Sequence, residues 1–223
     1  MSDDKPRTFN RDSMSNTLVV AIGVSLVCSI LVASAAVVLK PRQELNEEEY
    51  RQRIVLDVAG LYEPGINIGE AYTAAIEEQA TTLASGEEAA VYLVRDGGEI
   101  EQVILPIEGP GLWATMYGFL AVENDGITVR GIKFYEHGET PGLGDGVDKP
   151  AWQSQWVGKR LYDANGDPQI EVVKGQAPEN DYQIDGLAGA TLTGRGVSLF
   201  VRHWIGDEGY GPYLKQLSEK EPG

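Results

Sequence analysis

Thr17 to Leu39 contains no Asp, Glu, Lys or Arg, and Leu, Val, Ile and Ala dominate it. At about 1.5 Å of rise per residue, a helix over this stretch crosses the ~30 Å hydrocarbon layer of a bilayer. Ala33-Ser34-Ala35 imitates a signal-peptidase site, but the apolar run continues through Val37, Val38 and Leu39 and outlasts a signal h-region. The run reads as one transmembrane helix. Whatever chemistry the chain carries must then be built from the part that faces water.

The segment before the run, Met1 to Asn16, sets Lys5, Arg7 and Arg11 against Asp3, Asp4 and Asp12, a neutral polar tail. Lys40, Arg42, Arg51 and Arg53 follow the run, so positive charge flanks both ends and does not decide the orientation. The formal net charge of −16 therefore falls wholly after Leu39. Such a domain is repelled by nucleic acid and by anionic headgroups. Cys28, the only cysteine, lies inside the apolar run, which excludes an intramolecular disulfide and leaves the redox compartment open. His137 and His203 are the only histidines, and no Cys, His or Asp cluster has metal-ligand spacing, so no metal is expected. No Gly-x-Gly-x-x-Gly follows a strand pattern, and Ser198 and the threonines have no base nearby in sequence, which disfavours a hydrolase.

Glu44 to Leu61 places Leu45, Tyr50, Ile54, Val58 and Leu61 on one side of a helix that Glu63-Pro64-Gly65 ends. A second helix is expected from about Gly69 to Leu83. Two hairpins follow. Ala89 to Val94 and Ile100 to Leu105 flank Asp96-Gly97-Gly98, and Phe119 to Val122 and Ile127 to Phe134 flank Asn124-Asp125-Gly126, strong turn residues between β-prone runs. The fold class is α+β: one N-terminal transmembrane helix, then a domain with a mainly antiparallel sheet and flanking helices.

Near the end, Val197, Phe200, Val201, Trp204 and Ile205 recur at helical spacing, with Gly206 as the stop. Just ahead lies Asp185-Gly186-Leu187-Ala188-Gly189-Ala190-Thr191-Leu192-Thr193. Its glycines and alanines let a large planar group approach the main chain, and Thr191 and Thr193 are its only nucleophilic side chains. Either threonine falls at a helix N-terminus, where free N–H groups and the helix dipole favour a phosphate, and Arg195 adds a cationic donor. From chemistry alone this is an anion site; a loop with a threonine cap is the plainer reading. Two other stretches suit a flat ligand. Gly109 to Phe119 mixes glycines with Trp113 and Tyr117, and Glu136 to Gly144 is an irregular loop of exposed backbone groups.

The run Asp185 to Thr191 resembles the flavinylation motif of the FMN-binding domain family, Asp-x-x-(Ser/Thr)-Gly-Ala-Thr, with Ala188 where Ser or Thr is common. Glu139-Thr140-Pro141-Gly142-Leu143-Gly144 resembles the second signature of the same family. Segments from the apolar run to Gly211-Pro212, among them Gly111-Leu112-Trp113, Pro150-Ala151-Trp152 and Gln155 to Lys159, are similar to the C subunits of bacterial sodium-translocating NADH:quinone reductases. The G subunits of Rnf-type ferredoxin:NAD oxidoreductases share both signatures and stand as the alternative, as does a non-redox assembly subunit.

The resemblance implies FMN joined by a phosphoester to Thr191 through a dedicated flavin transferase. It implies flavin contacts from Glu139, Thr140, Pro141, Gly142, Leu143 and Gly144, from Gly189, Ala190, Leu192 and Thr193, and from Trp113. It further implies a cytoplasmic tail over 1–16, a transmembrane helix over 17–39 in the bacterial inner membrane, a helical connector over 40–88, and an FMN domain over 89–223 on the periplasmic side. The implied role is electron relay from NADH toward quinone, beside the other subunits of a complex that exports sodium.

Overall fold

The computed structural model describes residues 14–220; of the expected tail, residues 1–13 lie outside the described part. Helix α1 spans Met14–Val58 and continues through Pro41, where two separate helices were expected. Of the described residues, those through Glu48 form one compact unit and those from Glu49 onward form the second. Within α1, the apolar segment is long enough to cross a membrane, and none of its residues is buried by protein. Such a surface suits the hydrocarbon of a bilayer.

The second unit is built on a five-stranded antiparallel sheet in the order β1-β2-β3-β4-β5, comprising Ile76–Thr82, Glu88–Asp96, Glu99–Pro110, Thr115–Glu123 and Val129–Glu136. The β2–β3 turn takes positive φ at both Gly97 (59°) and Gly98 (95°), as a tight hairpin demands. In the β4–β5 turn, Asp125 Oδ1 accepts the N–H groups of Ile127 and Thr128 at 2.8 Å each.

Strand residues alternate between two cores. Val91, Leu93, Val103, Leu105, Leu120 and Val122 face one side; Tyr92, Val94, Ile104, Phe119 and Ala121 face the other. Both faces are covered, so the strands read as near-continuous apolar runs. The end of α1, through Ile54, Val55, Leu56 and Val58, packs on the second face with Tyr72 and Ile76. There the buried Gln102 amide donates to Ala59 O at 3.0 Å, holding the helix end to the sheet. The first face carries α4 (Thr191–Ile205) and α5 (Gly211–Lys220), the short helix α3 (Pro150–Gln153) and the parallel pair β6 (Glu171–Val172) and β7 (Gln183–Ile184).

One expectation fails here. The helix expected from Gly69 to Leu83 is α2 over Ile68–Ala75 only, and the chain then turns into β1. Ile76 closes α2 by donating its N–H to Tyr72 O, and from Ile76↔Val94 to Thr82↔Glu88 the next seven residues pair with β2. Glu77, Glu78, Gln79 and Ala80 are at ease in a helix, but the open edge of β2 offers backbone partners that local propensity cannot register.

Candidate functional site

Helix α4 begins at Thr191 and ends at Gly206, as its apolar spacing predicts, with Val197, Phe200, Val201 and Ile205 buried. Ala190 precedes it with φ −132° and ψ 48° and no side-chain cap, and its first turn holds no acidic residue. The amide hydrogens of that turn are left for an external acceptor. Thr191 and Thr193 are two residues apart, and so point about 200° apart around the helix. Thr191 is exposed, whereas Thr193 is 0% exposed. The two candidate hydroxyls of the run therefore sit in opposite environments.

Thr193 is turned toward Glu139. That carboxylate is only 6% exposed, and all its neighbours donate to it: Leu112 N at 2.7 Å and Trp113 N at 3.2 Å reach Oε1, and the Thr193 hydroxyl reaches Oε2. Two glycines make the enclosure possible. A Cβ on Gly111 would overlap Oε1, and one on Gly144 would lie 2.6 Å from Oε2. Glu139 thus ties three segments, 111–113, 139–144 and 191–193, into one locus. Three donors satisfy the buried carboxyl group, which would be costly to enclose without them.

Around this clamp the expected contact residues divide by position. Thr140, Pro141 and Gly142 are exposed in the loop, Gly144 is buried, and the Thr140 carbonyl accepts Leu143 N at 3.1 Å. Leu143 lies over Gly189, where a Cβ would stand 2.7 Å from Leu143 Cδ2 and where φ is +74°. Ala190 is buried. Leu112, Trp113, Leu143 and Leu192 are 44%, 71%, 45% and 59% exposed, an unusual concentration of apolar surface beside a helix N-terminus. Arg195 is exposed on the next turn.

A second layer was not visible in the sequence. Trp152 Nε1 donates to Asp185 O at 2.9 Å, Asp185 N donates to Gln155 Oε1 at 3.0 Å, and Asp185 Oδ1 accepts Ala177 N at 2.7 Å. Asp185 therefore anchors the start of the threonine run. His137, set aside in the sequence as an isolated histidine, lies between Asp148 Oδ2 (2.8 Å) and the Glu139 amide (3.2 Å). Nothing in the local pattern around Trp152 or Gln155 marks their long-range partner Asp185, and the nearer contacts of His137 carry no periodic signal either.

The FMN-binding domain family matches residues 111–206, the interval that contains all three clamped segments. Over 98% of both chains, this protein is 43% identical to the C subunit of the Na(+)-translocating NADH-quinone reductase of Yersinia pestis. It is 42% identical to that of Vibrio parahaemolyticus over 94% of this chain and 97% of the relative. The crystal structure of Shewanella oneidensis NqrC superposes with a TM-score of 0.69 at 31% identity, over 78% of this chain and 99% of that one. The crystal structure of the corresponding C subunit from Parabacteroides distasonis gives 0.66 at 26% identity, over 79% and 96%.

Fold and site together define an FMN-binding domain that follows a helix able to span a membrane once. The chain belongs to the family of C subunits of Na(+)-translocating NADH-quinone reductases, whose members are parts of an oxidoreductase complex.

Proposed function

We propose that this chain is the flavin-bearing electron-transfer subunit of a sodium-translocating NADH:quinone reductase, with FMN joined through its phosphate to Thr191 Oγ1. The observation that carries the reading is the opposite placement of two hydroxyls: Thr191 is exposed at the first position of α4, and Thr193 is buried against Glu139. A phosphate on Thr191 is next to the uncapped amides of the α4 first turn, which carry the positive end of the helix dipole. The apolar surfaces of Trp113, Leu143 and Leu192, and the open backbone at Gly189, suit a planar ring. These residues fit a phosphate-bearing flavin, and no metal is called for.

Bound FMN supplies one-electron chemistry. The chain contributes position and environment. Thr191 gives the covalent tether, so retention does not depend on a dissociation equilibrium in a domain of strongly negative charge. Thr140, Pro141 and Gly142 present exposed backbone groups to the polar ring edge, and Gly144 and Glu139 keep the loop closed behind them. The tail lies in the cytoplasm, α1 crosses the bacterial inner membrane, and the FMN domain stands on the periplasmic side. A flavin transferase modifies Thr191. The mature chain relays electrons from NADH toward quinone beside the other subunits, while the complex exports sodium.

The test is the intact mass of the chain purified from its native membrane, with peptide mapping across 185–195. The expected result is the mass of FMN less one water on Thr191, absent in Thr191→Ala and retained in Thr193→Val. An unmodified peptide in an active complex defeats the reading and leaves a non-redox assembly subunit.

A further inference from the structure

We propose that His137 is a pH-sensitive positioning residue for the flavin loop: as the neutral imidazole it holds Glu139 in its clamp, and protonation at Nδ1 releases it. The inference rests on the flavin reading only for what the loop lines.

The tautomer follows from the hydrogen bonds. The Glu139 backbone N–H can only donate, and it points at Nδ1 from 3.2 Å, so Nδ1 is the acceptor and carries no hydrogen. The neutral ring then has its hydrogen on Nε2, which faces Asp148 Oδ2 at 2.8 Å. Both nitrogens are committed, and the ring spans the loop from Glu139 near its start to Asp148 at its end. Glu139 is in turn the residue whose carboxylate receives Leu112 N, Trp113 N and Thr193 Oγ1. A chain of directed contacts thus runs from Asp148 through His137 and Glu139 to Trp113.

A proton added from water at Nδ1 places a hydrogen on each side of the contact with Glu139 N. Donor then faces donor, the bond is lost, and the imidazolium is drawn toward Asp148. Histidine is the side chain that ordinarily titrates between pH 5 and 8. Its ring borders an open cleft of about 530 Å³, from which water supplies the proton. The charged and titratable groups of that cleft are Tyr50 and Asp57 from α1, Lys133, Tyr135 and Glu136 from β5, and Asp148. Lys133 Nζ is paired with Asp57 at 2.9 Å. Of these groups, Asp148 is the one in contact with the ring, at Nε2. Burial pushes the Tyr135 phenol up, which keeps it out of this titration.

The experiment follows the amide resonances of Glu139, Leu112 and Trp113 from pH 8 to pH 5 by nuclear magnetic resonance. It uses the full chain in detergent, in a Thr191→Ala background, so flavin attachment has no bearing on the outcome. The parent is expected to show one transition shared by all three amides. In His137→Asn the side-chain Oδ1 takes the place of Nδ1 but does not titrate, and the three resonances should stay near their pH 8 positions throughout. In Asp148→Asn the midpoint should fall, because the anion in contact with Nε2 is gone. A flat parent profile, a transition that persists in His137→Asn, or an unmoved midpoint in Asp148→Asn overturns the proposal. The third arm decides it even if the His137→Asn variant does not fold.

Discussion

Thr193 donates its hydroxyl hydrogen bond to the buried carboxylate of Glu139, a partner 54 residues earlier in the chain. That contact spends one of the two hydroxyls in the 185–193 run on structure and sets the phase of α4, which leaves Thr191 on the solvent side. The different exposure of the two threonines is a consequence of helix geometry and one buried acceptor.

Removing the acceptor should strand three donors at once. Glu139→Ala is expected to lower stability by about 3 kcal/mol, because Leu112 N, Trp113 N and Thr193 Oγ1 lose their partner in a site with little water. Glu139→Gln should cost only about 1 kcal/mol, since its amide oxygen accepts from the two backbone groups and its amide nitrogen donates to Thr193. Thermal unfolding of the full chain in detergent, followed by circular dichroism, checks the order. Equal losses for the two variants would mean that the carboxylate charge, rather than the hydrogen-bond count, holds the clamp.

Gly189 is the position at which a single methyl group should disturb the flavin locus most. Gly189→Ala imposes a left-handed backbone on an L-residue, at roughly 1–2 kcal/mol, and puts Cβ 2.7 Å from Leu143 Cδ2. The flavinylated fraction, read by in-gel fluorescence, should fall severalfold. Gly166→Ala, away from the flavin locus, is the control: φ there is +86°, but an added Cβ meets nothing within 4 Å. If both variants lose flavin equally, backbone strain and not the Leu143 contact is responsible.

Alkaline pH should weaken the second unit before it alters its phenols. Burial pushes Tyr162 and Tyr210 well above the ordinary value of 10.0, and Tyr162 donates to Ile205 O at 2.8 Å. Between the unfolded and folded values the unfolded chain has released protons that the folded chain retains, so stability falls as pH rises. The stabilisation is complete below pH 10 and declines above it, by about 1.4 kcal/mol per pH unit for each phenol. Unfolding temperatures measured from pH 8 to pH 12 should hold level and then drop. Tyrosinate absorbance from these two residues should rise only with unfolding; absorbance that rises first, in folded protein, contradicts this account.

Much of the architecture was legible locally. The uncharged run from Thr17 to Leu39 suits a bilayer, the Asp96-Gly97-Gly98 and Asn124-Asp125-Gly126 turns announce two hairpins, and the 3.6-residue spacing of Val197, Phe200, Val201 and Ile205 marks α4 from Thr191 to Gly206. Each of these signals lies within a few residues of the structure it specifies. The sequence motifs around Glu139 and Thr191 lie in two segments that the fold brings into contact through Thr193 and Glu139.

What local pattern could not settle was decided by partners that only folding brings together. Ile76 to Thr82 reads as helix and is a strand, because β2 presents an unpaired edge. Glu139 reads as a residue that touches a ligand, and the fold makes it the acceptor that joins three segments. From residue chemistry alone Thr191 and Thr193 look equivalent, and the tertiary fold separates them by burying one against that acceptor. His137 looks isolated and is held at both ring nitrogens, by Asp148 and by the Glu139 amide. A hydrogen bond between groups on different segments, near or far in sequence, has no periodicity and no composition, so it enters only when the chain has closed on itself.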